Sequence, residues 1–125
     1  MRYLMFYTPD PKRMTAPPTP EAMEAMGKFI EQSFKSGELI ATGGLCAVGA
    51  ETTGRVQVTD GELSITDGPF AESKEMIGGF ALIRASSRAG MVDMTKRFLK
   101  VAGDGKCEFR QLDDNSPDNV GPVKS

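Results

Sequence analysis

The residues best suited to chemistry lie in one short stretch, residues 67–75, which reads Asp-Gly-Pro-Phe-Ala-Glu-Ser-Lys-Glu and precedes a pair of glycines. Asp67, Glu72 and Lys74 are the candidate catalytic residues. Carboxylates and amines transfer protons near neutral pH when burial or a neighbouring charge adjusts their pKa. Such a set suits isomerisation, elimination or lactone chemistry on a small molecule.

Asp67 also has a purely structural interpretation. Pro69 favours the second position of a β-turn, and an aspartate before a turn often accepts a hydrogen bond from the N–H two residues on. That residue is Pro69, which has no N–H. The Asp67 carboxylate must therefore accept from an N–H further along the turn, pair with Lys74 or Arg55, or face a ligand.

A second group of side chains is suited to holding a ligand rather than transforming it. A tyrosine hydroxyl can orient a substrate oxygen, an arginine can pair with an anion, and a phenyl ring can pack on an apolar part. The candidate ligand-binding residues are Tyr3, Tyr7, Arg55, Phe70 and Arg110.

Composition excludes several classes of function. The chain has 125 residues, no histidine, two cysteines and a net charge of −2. The missing histidines remove Ser-His and Cys-His nucleophile pairs, and two isolated cysteines do not form a zinc site, so we expect no metal and no cofactor. The charge gives no reason to expect nucleic acid. No apolar run is long enough for a signal peptide or a membrane span, which predicts a cytoplasmic protein with no membrane contact.

The periodicity predicts an α+β domain of strand–helix–strand, inserted hairpin, strand–helix–strand. Thr19 is a suitable N-cap for the first helix, which ends at Gly37, and its apolar stripe is Met23, Met26, Ile30 and Phe34. The predicted elements are strands at 2–7, 38–42, 79–84 and 106–112, a hairpin at 55–66, and helices between 19 and 37 and between 86 and 103.

The hairpin is predicted with its register. Asp60-Gly61 is a strong signal for a two-residue turn. This turn places Val58 opposite Leu63, so that apolar pairs meet on one face and polar pairs on the other.

The first and third of the four predicted sheet strands, 2–7 and 79–84, are apolar on both faces. Helices cover only one face of such a sheet, so the other face would leave a large apolar patch. A face-to-face homodimer is the simplest way to bury it.

The motif at 67–75, together with Gly78-Gly79-Phe80, the opening Met1-Arg2-Tyr3-Leu4-Met5 and Gly43-Gly44-Leu45, resembles the DGPF-domain family, a branch of the YCII-related proteins. The resemblance implies a ferredoxin-like βαββαβ sandwich with an inserted hairpin, forming a dimeric α/β barrel. It covers one domain, residues 1–112, and leaves 113–125 as a C-terminal tail.

The resemblance implies two classes of function. In the first, the protein binds or transforms a small, often aromatic or oxygenated, molecule without a cofactor, in a cavity between sheet and helices or at the dimer interface. In the second, it is a non-catalytic ligand-binding or regulatory module associated with extracytoplasmic-function sigma factors. Some YCII-related proteins carry a histidine–aspartate pair, and this chain departs from that pattern because it has no histidine.

Overall fold

A computed structural model describes residues 1–11, 18–68 and 77–115 of the chain. Six strands and two helices make up this described part. In chain order they are β1 (Arg2–Pro9), α1 (Pro20–Ser36), β2 (Leu39–Gly44), β3 (Gly54–Thr59), β4 (Glu62–Asp67), β5 (Gly79–Arg84), α2 (Arg88–Ala102) and β6 (Gly105–Gln111).

Four of the strands form one antiparallel sheet in the order β2-β5-β1-β6. Each strand–helix–strand half supplies one central and one edge strand, and both helices cover the same face. This is the ferredoxin-like α+β arrangement that the sequence predicted. The remaining two strands, β3 and β4, pair only with each other, as the predicted hairpin inserted between the halves.

Both helices begin and end where their capping residues predict. The Thr19 hydroxyl accepts a hydrogen bond from Ala22 N–H at 3.1 Å, and the Ser87 hydroxyl accepts one from Gly90 N–H at 3.1 Å. Gly37 ends α1 with a φ of 85°, a left-handed conformation that glycine adopts without strain.

The apolar stripe predicted for α1 is wrong at both of its ends. Met23 is 62% exposed and Phe34 is 46% exposed. The packed face instead contains Phe29, Ile30 and the buried Ser33. At about 100° per residue, Met23 and Phe34 lie roughly 80° from the centre of that face. Residues spaced by three and four can still spread around the helix. The sequence alone does not tell which side of such a stripe packs on the sheet.

The core lies between the sheet and the helices. Its most buried side chains come from β1, β2, β5 and α2, with exposed fractions of 0–6%. They are Tyr3, Met5, Leu39, Ala81, Ile83, Met91 and Met94.

The opposite side of the sheet, called here the open face, carries no helix. The register places Leu4 opposite Leu82 and Phe6 opposite Phe80 at its centre. Phe6 is 38% exposed, and the other three are half-buried. Strands β1 and β5 are therefore apolar on both faces, as the sequence indicated.

The hairpin has the predicted register, with Val56 opposite Ile65 and Val58 opposite Leu63. Asp60 and Gly61 have φ values of 53° and 82° and make the turn. Positive φ at both positions matches the right-handed twist of the flanking strands. We call the four apolar side chains of this face the apolar ladder; all four are 63–71% exposed.

Candidate functional site

The structure describes the first two residues of the candidate catalytic stretch, Asp67 and Gly68, and the chain that follows it from Ile77. Asp67 is the last residue of β4, is exposed, and lies opposite Gly54. At the other end, Gly78 N–H donates to the Tyr7 carbonyl oxygen at 2.7 Å. The stretch therefore leads from the base of the hairpin to the end of β1 beside Tyr7. The candidates Phe70, Glu72 and Lys74 lie outside the described residues.

Asp67 and Arg55 are not brought together on one face of the hairpin. Side chains alternate along a strand, and Arg55 lies opposite Thr66 rather than Asp67. Asp67 therefore shares a face with Val56 and Ile65, whereas Arg55 belongs to the polar face. A direct pair between these two side chains, one of the alternatives raised above, does not fit this register.

Tyr7 is the predicted site residue with the most defined surroundings. Its ring meets the Phe98 ring edge-on at 5.2 Å between centroids, and its hydroxyl donates to the Asp104 carbonyl oxygen at 3.2 Å. A Cβ added at Gly105 would lie 2.7 Å from the Tyr7 ring, so the ring lies directly against that backbone.

Beside Tyr7, two neighbouring positions of the sheet are glycines and carry no side chain. The register aligns Gly44 of β2, Gly79 of β5, Tyr7 and Cys107 in one row on the helix-covered face. Gly44 is exposed and Gly79 is half-buried, although the next row inward contains the buried Ala81. We call the space over these two glycines, bounded by Tyr7 and Phe98, the glycine recess.

The sides of the glycine recess are aromatic. Phe98 of α2 contacts Tyr7 on one side and Phe29 of α1 on the other, at 6.2 Å between ring centroids. Arg84 N–H donates to Glu38 O at 2.7 Å, so α1 ends near the Arg84 end of the sheet. The first turns of α1 therefore lie toward the opposite end, where Tyr7 is. Backbone without side chains, next to aromatic rings, suits the binding of a flat apolar molecule.

Close packing supplies a second reason for one of these glycines. A Cβ at Gly79 would lie 3.0 Å from the Gly43 carbonyl oxygen, so the two strands approach too closely for a side chain. At Gly44 a Cβ would lie 3.9 Å from the Gly78 carbonyl oxygen, which is ordinary contact. Gly44 therefore carries no side chain at a position where a side chain would fit. The sequence predicted that the glycine pair 43–44 ends the second strand, whereas β2 continues through it.

The other predicted ligand-binding residues lie elsewhere. Tyr3 is 4% exposed, and its ring meets Phe109 edge-on at 5.7 Å, which makes it a core residue. Arg110 lies opposite Leu4 on the open face. Neither shares the row of Tyr7.

Cys107 lies next to Tyr7 in this row, but its thiol is a poor nucleophile. Burial raises its pKa to about 11, so the thiol stays protonated at neutral pH. Among residues 1–11, 18–68 and 77–115, no group of three or more His, Cys, Asp or Glu side chains is placed to hold a metal ion. In the same part of the chain, neither helix combines the length and apolarity of a membrane span.

The residues that sequence reasoning missed are Gly44, Gly79 and Phe98. Both glycines belong to pairs in the sequence, one just after the predicted second strand and one at the start of the predicted strand 79–84. A glycine within a strand pattern also marks a place where a ligand or another backbone approaches closely. Phe98 also packs against the core.

Comparison with known proteins places the chain in a family. No functionally characterised protein sequence matches it. Among solved structures, it is similar to 5-chloro-2-hydroxyhydroquinone dehydrochlorinase (TftG) from Burkholderia phenoliruptrix AC1100, solved in complex with 2,5-dihydroxybenzoquinone. That similarity has a TM-score of 0.50 and 13% identity, and covers 90% of this chain and 94% of the other. The model of the YCII-related domain matches residues 1–108, so the chain belongs to the YCII-related family.

Proposed function

We propose that this protein binds a small, flat, oxygenated molecule in the glycine recess and acts on it without a cofactor. The observation that supports this most is the row in which two bare glycines lie beside a fixed tyrosine. Gly44 leaves room for a ring next to the backbone. The Tyr7 hydroxyl, held by the Asp104 carbonyl, presents a polar atom at the edge of that space.

The fold shared with the dehydrochlorinase supports the same class of ligand. The ligand in that structure is a dihydroxylated quinone, a flat ring with oxygen atoms at its edge. Such a molecule has an apolar face for Phe98 and edge oxygens for the Tyr7 hydroxyl. We therefore take 2,5-dihydroxybenzoquinone as the first probe.

Proton transfer is the proposed chemistry. Asp67, with Glu72 and Lys74 as further candidates, begins a stretch whose end is bonded to the Tyr7 backbone by Gly78. A carboxylate delivered to the recess would act as a general base if its surroundings raise its pKa.

The proposed assembly is a homodimer joined through the open face. Leu4, Phe6, Phe80 and Leu82 form an apolar centre on a sheet face without helices. Burial of such a patch is the usual role of a twofold partner. No described contact favours the regulatory alternative with a sigma factor, which remains an outcome of the binding test below.

The test of the binding site is a leucine placed on the floor of the recess. Gly44→Leu adds a side chain where a Cβ has room, so the fold should persist while the space is filled. Gly27→Leu is the control, since a Cβ there meets nothing within 4 Å. We expect calorimetric titration with the quinone to show at least tenfold weaker binding for Gly44→Leu and no change for the control. Equal binding by both variants would remove the recess from consideration.

The second step separates an enzyme from a binding module. Asp67→Asn keeps the shape of the side chain and removes its charge. If Asp67 is a general base, turnover of the bound molecule should fall by about tenfold or more, corresponding to roughly 1.4 kcal/mol. Saturable binding without turnover in the wild type would favour the module. Intact turnover in Asp67→Asn would leave Asp67 as a structural residue at the end of β4.

A further inference from the structure

The hairpin carries an exposed apolar surface that the proposed function does not use. The apolar ladder consists of Val56, Val58, Leu63 and Ile65, exposed by 67%, 63%, 65% and 71%. Its opposite face is polar, with Gln57 opposite Ser64. One apolar and one polar face is the pattern of an antiparallel pair that is covered on one side.

We infer that the apolar ladder is a docking surface for a second copy of this chain, and that the hairpin of each protomer packs against its partner. This rests on the homodimer proposed above and deepens it by adding a second contact region. Asp67 lies on the same face of the hairpin as the ladder, so the inference places it next to the contact with the partner.

The charges of the two surfaces are complementary. The hairpin carries three carboxylates and one arginine: Asp60, Glu62, Asp67 and Arg55. The open face has the opposite balance, with the cationic side chains of Arg2, Arg84, Lys106 and Arg110 at the end and edge of the sheet. Two carboxylates offset part of this charge, because Asp114 pairs with Arg2 and Glu108 pairs with Lys106, each at 4.0 Å. A second copy therefore presents the charge that the hairpin attracts, and opposite charges at an interface fix orientation and partner choice.

The area also fits a twofold partner. Four aliphatic side chains about two-thirds exposed leave on the order of 300 Å² of apolar surface in one stripe, the size at which a patch on a monomer marks a contact. A twofold arrangement buries each stripe and an equal area of the partner. The total is on the order of 1,200 Å², which reaches the lower end of stable interfaces before the open faces are counted.

Position in the chain connects the hairpin to the strands of the open face. The hairpin follows edge strand β2 and precedes β5, the strand that contributes Phe80 and Leu82 to the open face. The inference is that a partner seated on the open face also contacts the ladder.

The test replaces one of the two cross-strand pairs of the ladder by a charged pair. Val56→Lys/Ile65→Glu places opposite charges directly across the strands, which preserves pairing within the hairpin while making the ladder polar. The matched control, Gln57→Lys/Ser64→Glu, puts the same pair on the polar face of the same hairpin. The full chain is used in both variants, and sedimentation equilibrium gives the dimer dissociation constant without any ligand.

We expect the ladder variant to raise the dissociation constant at least a hundredfold and the control to change it by less than threefold. Equal constants for the two variants, in a protein that still dimerises, would overturn the inference and leave the open-face dimer standing. Failure of the quinone to bind would affect only the proposed function, since no ligand enters this measurement.

Hydrogen exchange of the hairpin amides identifies what covers the apolar ladder. The hairpin amides of the wild type should exchange more slowly above the dissociation constant than below it, because only a second copy responds to protein concentration. Protection that is independent of concentration and disappears when residues 116–125 are deleted would assign the ladder to the chain's own tail and overturn the inference.

Discussion

The four-stranded sheet and the inserted hairpin share one sequence pattern but differ in burial. In β5, alternate residues face the helices, and Ile83 is 1% exposed. In β4, alternate residues face one side of the hairpin, and Ile65 is 71% exposed. Alternation tells which side chains share a face, since successive side chains of a strand point to opposite sides. It does not tell whether anything covers that face.

The difference determines where the stability of a single protomer comes from. Burial of apolar side chains is the main favourable term in folding, and its size follows the area removed from water. The sheet and helices bury their side chains within the protomer, so their contribution is intrinsic. The apolar ladder contributes only when something packs on it, so the hairpin is the part of the molecule whose stability depends on a partner.

The largest expected effect tests this difference directly with the same substitution in both regions. Ile83→Ala removes a fully buried side chain and should lower the free energy of unfolding by about 2–5 kcal/mol. Ile65→Ala removes an exposed one and should cost about 0.5 kcal/mol or less in dilute protomer. Urea unfolding below the dimer dissociation constant measures both. Losses of similar size would mean that the protomer itself covers the ladder.

A smaller effect is expected at the turn of the hairpin. Gly61 has a φ of 82°, which a β-branched residue adopts only with strain, so Gly61→Val should destabilise the hairpin by roughly 1 kcal/mol or more. Gly54→Val is the control in the same hairpin, because a Cβ there meets only Thr66 O, at 3.8 Å. Amide exchange of β3 and β4 should speed up in the first variant alone. Unchanged exchange in Gly61→Val would show that the turn tolerates a side chain.

Local signals predicted most of the fold. The register of the hairpin followed from Asp60-Gly61, and the helix ends followed from Thr19 and Gly37, because each depends on backbone geometry within a few residues. The stripe of α1 was misplaced at Met23, because the facing of a helix depends on partners distant in sequence.

The candidate site was less predictable than the fold. Tyr7 was identified by residue type, but its row with Gly44 and Gly79 depends on the pairing of three strands. Tyr3 has the same chemistry as Tyr7 and lies four residues away on the same face of β1, yet it is a core residue. The two tyrosines differ in their strand partners and in how they lie relative to α2. Both features depend on residues distant in sequence.

The covered region also contains a network of charged side chains. Arg97 of α2 donates to both carboxylate oxygens of Glu38, at 2.6 and 3.3 Å, and to Asp93 at 3.0 Å. Glu38 lies between α1 and β2 and also accepts from the Ser36 hydroxyl at 3.0 Å. This bidentate contact joins α2 to the connection between α1 and β2 at the Arg84 end of the sheet.

The smallest expected effect is the pH dependence of that contact. The hydrogen bonds from Arg97, outweighing partial burial, hold the pKa of Glu38 below its ordinary value of 4.5. A group with a lowered pKa in the folded state stabilises the fold above its ordinary pKa, and that stability is lost as the pH falls through the lowered one. Because Arg97 is 43% exposed, water screens the pair, and Glu38→Gln should cost on the order of 1 kcal/mol at most.

Unfolding measured from pH 7 to pH 3 checks this expectation. The difference between wild type and Glu38→Gln should be constant down to about pH 5, where the carboxylate is ionised in both folded and unfolded chains, and should shrink below pH 4.5 as Glu38 takes up a proton. Glu24→Gln serves as the control, since Glu24 and its partner Lys28 are each 70% exposed on the surface of α1. A pH-independent difference for Glu38→Gln would mean that the contact acts through shape rather than charge, and the junction of α2 with the α1–β2 connection would then rest on packing alone.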